Sequence, residues 1–518
     1  MNRNLNDWEK ELSEVPLGIG GFNERTMRKI KERVTVPATR KFRFQPAFAG
    51  VMVVLLLASG WWMRDSLSGW FAGKEGGETA RTDAWDQEDV VLKIQYHDQA
   101  SFMNEFGLPF VVRHPNAQIE VPPSPESTDP EDYKVWLQQY EPDLLQVPLF
   151  LVDSLSKQGL IQPLDAWAKR DGFDLDDFHA PVIGTIREAG DGALYGLTPY
   201  FETYALYYNK SLFNRFGIEP PEDRMTWNEV LELAARFNGQ EQSGQPIYGL
   251  ATARGMSPFE LIRSVGQADG LRLTDADLKP TIDSPSWRNV WDKVTRGYRD
   301  EWIFEGVWPS SESDGHISMN DLYKADPFLT GRAAMTFRPS FYRQDVFSAI
   351  DEIGFQDEWG IVTQPVSSDR SDVASEFSIA TVYAINAKSP NKDAAWAMLR
   401  YMTGPEHAQS NRSKQYRALS SRPPASESHP TTGESAFYRL GVDSSAVLRY
   451  EESMYRPPNP SFIQSVLAAG DEEARETIKG SKSIEQAVDN LQKRTEELVA
   501  STKATTEATT EARKENKP

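Results

Sequence analysis

Twenty consecutive residues, Phe44 to Met63 (FQPAFAGVMVVLLLASGWWM), carry no charge. As a helix they would measure about 30 Å, the thickness of a bilayer's hydrocarbon layer. Arg40, Lys41 and Arg43 precede the run, and Trp61 and Trp62 close it where an interfacial aromatic belt would sit. Residues 1–43 hold ten Lys/Arg against six Asp/Glu, while the whole chain has a formal net charge of −20. This bias predicts a basic cytoplasmic leader over 1–43, a retained transmembrane anchor over 44–63 and everything after Arg64 outside the membrane. Two other readings exist. A cleaved signal peptide could end at Ala58–Gly60, but so long a leader before the apolar core is foreign to such peptides. A buried core helix would make the basic flank a coincidence. In the leader, Met27, Ile30 and Val34 could line one side of a short basic helix.

The chain has 518 residues, too many for one core, so two or more folded units are expected. Its acidity argues against nucleic acid as a partner. Cysteine is absent, which excludes thiol catalysis, disulfides, cysteine-based zinc sites and a lipid-modified cysteine anchor, but does not choose a redox compartment.

Residues 64–89 include a Gly-rich, charged stretch that reads as a flexible linker. Val90–Tyr96, Ala117–Val121 and Asp143–Val147 are short apolar runs separated by helical patterns, as in βαβ units. Thr226 and Glu229 form a capping box ahead of an apolar face of Trp227, Val230, Leu231, Ala234 and Phe237. Further helices are expected from Asn391 and from Ser483, the latter capped with Gln486. Residues 501–518 are polar and low in complexity, which predicts a disordered tail.

No catalytic signature emerges. His97, His114, His179, His316, His407 and His429 never pair at metal-ligand spacing. Gly18–Gly21 precedes no strand–helix unit, and Asp314–Asp321 lacks the full calcium-loop pattern and reads as a solvated turn. No metal or cofactor is expected. A glycosidase needs only two carboxylates, and nothing in the sequence singles out a pair. One stretch stands apart. LYGLTPYFETYALYYNK, residues 194–210, holds five tyrosines, with Glu202 set among Tyr200, Phe201 and Tyr204. A buried strand would not want the acid, and a solvated loop would not want the rings.

Several blocks, in order, resemble the extracellular solute-binding proteins of ABC importers, in the family that contains maltose-binding protein. They are Pro142–Leu164, Asp191–Ala234 with its Tyr208-Asn209-Lys210 and Thr226-Trp227 elements, Phe328–Phe337 (FLTGRAAMTF) and Tyr383–Gln409. The resemblance covers roughly residues 88–500. It implies an α/β, two-lobed periplasmic-binding-protein-like fold (type II). Lobe 1 would comprise about 90–199 and 383–417, and lobe 2 about 206–376 and 423–500, with the solute-binding domain spanning 90–500. Three hinge crossings would fall near Tyr200–Tyr204, Phe377–Thr381 and Arg417–Arg422, with the ligand in the cleft between the lobes. The family's lipid-modified cysteine is missing, so the transmembrane helix would serve as anchor.

The resemblance also implies site residues. Glu202, by its distance from Tyr208-Asn209-Lys210, aligns with an acid that bonds ligand hydroxyls in the family's sugar binders. An ionised carboxylate can accept two hydroxyl protons. Tyr200 and Tyr204 would flank it, and rings suit the apolar faces of a sugar. Phe341, six residues after Met335, matches a stacking position. Arg338 lies in the same loop, Val147 and Phe150 follow a lobe-1 strand, and Met256 and Phe462 are weaker carry-overs. The expected function is capture of a small polar ligand, an oligosaccharide, for the membrane subunits of an ABC importer. The alternatives are a sensor signalling through a membrane partner or the leader, and a cell-surface glycoside hydrolase.

Overall fold

A computed structural model describes residues 85, 88–275, 278–309, 317–413, 418–424, 433–455 and 460–515, all within the compact unit Thr82–Pro518. The predicted leader, the anchor and nearly all of the linker lie outside the described residues. Among those described, no helix is long and apolar enough to cross a membrane.

The first lobe forms where the sequence places its short aliphatic runs. Strand β1 (Val90–Lys93) pairs in parallel with β2 (Ala117–Glu120), Val90 opposite Ala117. Ile94 bridges to Leu144 at the start of β3 (Leu144–Pro148). A returning strand, β10 (Thr381–Ile385), lies antiparallel to β3 with Val382 opposite Val147. The order is therefore β2-β1-β3-β10. Helix α1 (Pro130–Tyr140) links β2 to β3. It starts at Asp129, whose carboxylate accepts from the Glu131 N–H at 3.0 Å. Helices α2 (Ala180–Ala189) and α8 (Lys392–Thr403) belong to the same lobe. Leu92, Ile94, Leu144, Leu145 and Ile385 are fully enclosed.

The second lobe is built on β4 (Tyr200–Asn209), the longest strand described. The order is β8-β4-β7-β5-β6, with β5 Tyr248–Ala251, β6 Ile303–Phe304, β7 Ala333–Pro339 and β8 Trp359–Thr363. Strands β6, β5 and β7 run parallel, whereas β4 is antiparallel to β7 and β8. One face of this sheet is covered by α3 (Trp227–Ala235), α4 (Pro258–Ala268), α5 (Pro285–Arg299) and α10 (Pro460–Ile478), which share an apolar core with Leu206, Met335 and Phe337. The other face carries α6 (Met319–Ala325) and α7 (Tyr342–Ile353), whose core runs on through Tyr207 into the first lobe.

Local rules read from the sequence hold. The Thr226–Glu229 capping box opens α3, with Glu229 accepting from the Thr226 N–H at 2.7 Å. Ser483 and Gln486 exchange bonds ahead of α11 (Ile484–Glu515). Two expectations change. Within 314–321, Ser318 is the N-cap of α6, its Oγ accepting from the Asp321 N–H at 3.2 Å, so 319–321 are helical rather than a solvated turn, while 314–316 lie outside the described residues. The stretch 501–515 continues α11 instead of forming a disordered tail. Low complexity suggested disorder, but Ala, Glu, Lys and Arg are strong helix formers, and no Gly or Pro interrupts 484–515.

Candidate functional site

The amino-terminal half of β4 is where three separated segments of chain meet. Phe201 and Tyr200 pair with Leu419 and Ser420 of β11 (Leu419–Ser420). Thr203 and Glu202 pair with Phe377 and Ser378 of β9 (Phe377–Ser378). All three segments fall where hinge crossings were expected. Alternation along β4 then sorts the side chains. Phe201 and Thr203 point to one face, and Tyr200, Glu202 and Tyr204 to the other.

The first face fastens the three segments together. The rings of His179, Phe201 and Phe377 form a stack, with centroids 5.0 Å and 5.5 Å apart. Thr203 Oγ1 donates to the Glu376 carbonyl at 2.7 Å. The buried Gln364 amide donates to that carbonyl and to Thr203 Oγ1, and accepts from the N–H groups of Ser375 and Glu376. The third segment is held from the first lobe. His179 N–H donates to the Ser421 carbonyl at 2.7 Å, and Arg422 Nε donates to the Thr403 carbonyl at 2.7 Å. The Arg422 guanidinium also lies 4.1 Å above the Phe178 ring.

The second face gathers acids and phenols. Glu202 is exposed at the centre. Ser378, directly across from it, donates to Glu451 at 2.8 Å; Glu451 belongs to α9 (Ser444–Tyr455). The half-buried Glu376 accepts from Ser264 Oγ on α4 at 3.2 Å. Burial pushes the carboxyls of Glu376 and Glu451 above the ordinary glutamate range, opposed at Glu376 by the Arg263 charge and at Glu451 by its bond to Ser378. Burial pushes the Tyr204 phenol up to about 12, and the nearby charges of Glu376 and Glu202 act the same way. Helix α9 spans the region. Ser444 shares a hydrogen bond with Thr185 of α2 at 3.0 Å, and Ser445 donates to Glu188 of α2 at 2.7 Å.

Of the residues singled out in the sequence, Glu202 and Tyr204 come together on this face. Tyr204 also packs on Phe337 at 5.0 Å. Tyr200 turns toward the first lobe, its hydroxyl 3.0 Å from His407 Nε2. Phe341 is half-buried just past β7, at the start of α7, and Met256 is half-buried in the loop after β5. Phe150 is half-buried against the first lobe's core. The structure takes three side chains elsewhere. Val147 is fully enclosed in that core, because it lies on the inward side of β3. Phe462 is buried in a small cluster with Val466 and Val499. Arg338 is buried and spent internally, giving one bond to Asp326 at 2.8 Å and another to Thr336 Oγ1 at 2.8 Å. Sequence reasoning missed Arg263, Glu376, Tyr450 and Glu451. A signal existed for the last two, since Arg449-Tyr450-Glu451-Glu452-Ser453-Met454-Tyr455 again sets acids among tyrosines.

The chain is thus an α/β fold in which β9 and β11 both pair with the amino-terminal half of β4, with an exposed acid and a tyrosine on that strand. The profile described as bacterial extracellular solute-binding protein matches residues 98–409, and the chain belongs to that family. Members of the family bind solutes rather than transform them, which removes the glycoside hydrolase alternative. The chain is similar to a mannitol-binding protein of Pseudomonas aeruginosa, 28% identical over 152 residues. That match covers 29% of this chain and spans about a third, 33%, of the curated relative. In three dimensions it resembles a sugar transporter protein from Rhizobium etli in an open conformation, with a TM-score of 0.55 at 18% identity, covering 79% of this chain and 99% of the other. It likewise resembles the sugar-binding protein MalE from Xanthomonas citri, with a TM-score of 0.54 at 18% identity, covering 81% and 99%. At such identity the likeness establishes the fold.

Proposed function

We propose that the chain captures a small polyhydroxylated solute, an oligosaccharide, in the cleft between its lobes and delivers it to the membrane subunits of an ABC importer. The observation that carries this reading is the exposed Glu202 at the point where all three crossings lie side by side. A ligand bound there touches the hinge and both lobes, so it favours whichever lobe arrangement gives it most contacts. Glu202 accepts hydroxyl protons, Tyr204 supplies a ring and a hydroxyl, and Phe341, Phe150 and Met256 line the approach. The lobe limits near 90–199 with 383–417, and 206–376 with 423–500, follow from this reading. The uncharged run 44–63 holds the binding unit at the outer membrane surface. The relatives named for mannitol and sugars support the ligand class.

The test is a thermal-shift screen of residues 80–500 against mono- and oligosaccharides, polyols, amino acids and polyamines. A ligand held only by the native state raises the melting temperature, by an amount set by its concentration over Kd. Saccharides are expected to shift the wild type and to shift Glu202→Ala far less. An equal shift in both moves the site away from Glu202.

A further inference from the structure

Trp308 is 61% exposed, more than any other Trp, Phe or Tyr whose side-chain burial the structure describes. Such a ring is costly to leave in water, and the loop that carries it is tied down. It lies just past β6, in a loop tied to the loop after β5. Gly255 N–H donates to the Gly306 carbonyl at 2.9 Å, and Gly306 N–H donates to Thr252 Oγ1 at 3.0 Å. Both glycines are required by geometry. Gly255 has φ +78°, and a Cβ there would stand 3.2 Å from the indole Nε1. A Cβ on Gly306 would come within 2.5 Å of the Thr252 carbonyl oxygen.

Behind the indole stands Arg254, its guanidinium 5.8 Å from the ring centroid. Arg254 is fixed in turn. It donates to the Leu322 carbonyl at 3.2 Å and lies 3.7 Å from the carboxylate of fully buried Asp326. The same carboxylate accepts from Arg338 at 2.8 Å and from the Tyr342 hydroxyl at 3.0 Å. The arginine that sequence reasoning offered to the ligand is therefore part of a buried brace, and its neighbour in the brace backs an exposed aromatic ring.

The position of Trp308 gives this arrangement a use. Strands β6, β5 and β7 are parallel, and ligands of such sheets bind outside the carboxyl ends of the strands. Trp308, Met256 and Phe341 all follow those ends. Because β4 is antiparallel to β7, its amino end lies at the same edge, and Ser340 N–H donates to the Thr203 carbonyl at 2.8 Å. Glu202 is thus carried by β4 and Trp308 by the loop after β6, strands that lie three strand spacings, about 14 Å, apart in the sheet. A single sugar ring does not bridge that distance, whereas a short chain of rings does.

We propose that Trp308, backed by Arg254, is a stacking platform for the distal ring of an elongated saccharide whose other end meets Glu202. This rests on the cleft reading above and adds to it a selection for ligand length. The experiment is calorimetric titration of wild type, Trp308→Ala and Trp308→Phe with linear α-1,4- and β-1,4-linked glucose chains of one to five units. Melting temperatures serve as the control for folding. Wild-type affinity should rise with length. Trp308→Ala should lose affinity increasingly with length, by tenfold or more at five units, and Trp308→Phe should recover part of it. Equal affinities in wild type and Trp308→Ala at every length overturn the platform and leave the cleft reading intact, as does an equal loss at every length. Unchanged titrations with lost solute uptake in cells overturn it too, by making the exposed indole a contact for the membrane subunits. A wild type that binds none of these chains removes the glucan reading of the cleft, and the platform with it.

Discussion

The imidazole of His179 stacks on the ring of Phe201 with centroids 5.0 Å apart and planes 29° from parallel. His179 comes from the start of α2 in the first lobe and Phe201 from the strand that leads into the second. Burial holds the imidazole neutral by lowering its pKa to about 4. Between that value and the ordinary 6.5 the unfolded chain binds a proton that the native state refuses. The contribution is therefore complete above pH 6.5 and is lost as pH falls toward 4, by about 3 kcal/mol in full. Urea denaturation between pH 4 and 7 should show wild-type stability declining with acid, and His179→Phe declining less. Parallel curves for the two proteins would mean that His179 titrates normally.

Glu376 should act with the opposite sign. Its carboxyl is raised by burial, so its native form binds a proton more readily than the unfolded chain does. The protonated form favours folding at acid pH, and that contribution is lost as pH rises through the raised value. Glu376→Gln keeps the shape and removes the charge. It should raise the melting temperature at pH 7.5 and change little at pH 4. A lower melting temperature at pH 7.5 would show that the ionised acid is stabilised by Arg263 and Ser264 after all.

Much of this arrangement was legible in the sequence, and the part that was not has a common cause. Caps and aliphatic runs depend on local pattern, and the blocks that carry the family resemblance depend on order along the chain; both survive in a sequence. Which side of a strand faces inward does not. Val147 and Phe462 hold aligned positions, yet Val147 lies on the inward side of β3 and Phe462 closes a three-residue cluster on α10 and α11. Arg338 failed to stand out as structural because its partner Asp326 is twelve residues away, and nothing in the sequence joins them. Trp308 was hidden in a Gly- and Ser-rich stretch that reads as plain loop. Its meaning comes from strand order, which places β6 in the same sheet as β4.

Asp326 should prove the stability centre of the second lobe. It is fully buried and receives Arg338 and Tyr342 directly. Replacing it with Asn would leave the buried Arg338 charge uncompensated, at a cost of about 3–5 kcal/mol. The guanidinium-chloride midpoint of Asp326→Asn should fall accordingly. A loss under 1 kcal/mol would show that water reaches Arg338.

Gln364 should govern how tightly the second crossing is held. Its side chain accepts from the N–H groups of Ser375 and Glu376 and donates to Thr203 Oγ1 and the Glu376 carbonyl. Gln364→Met keeps the bulk but takes the acceptor from these two N–H groups, each costing about 1–3 kcal/mol. Hydrogen exchange at the Ser375 and Glu376 amides should quicken, roughly tenfold for every 1.4 kcal/mol lost. Exchange at Leu92, deep in the first lobe, should change far less. Equal acceleration at both places would mean that the amide supports the whole fold and not the crossing.

Phe341 and Phe462 allow packing to be separated from recognition. Phe462 is buried beside Val466 and Val499, so Phe462→Ala should cost about 3–5 kcal/mol of stability, as large-to-small core changes do. Its saccharide affinity, measured well below the transition, should stay within twofold of wild type. Phe341 is half-buried at the carboxyl end of β7, which lies between β4 and β6 in the sheet. Phe341→Ala should cost less stability, because less apolar surface leaves water at that site, and should weaken saccharide binding by tenfold or more. Affinity unchanged in Phe341→Ala but lost in Phe462→Ala would put the ligand beside the α10–α11 pair, away from the strand ends.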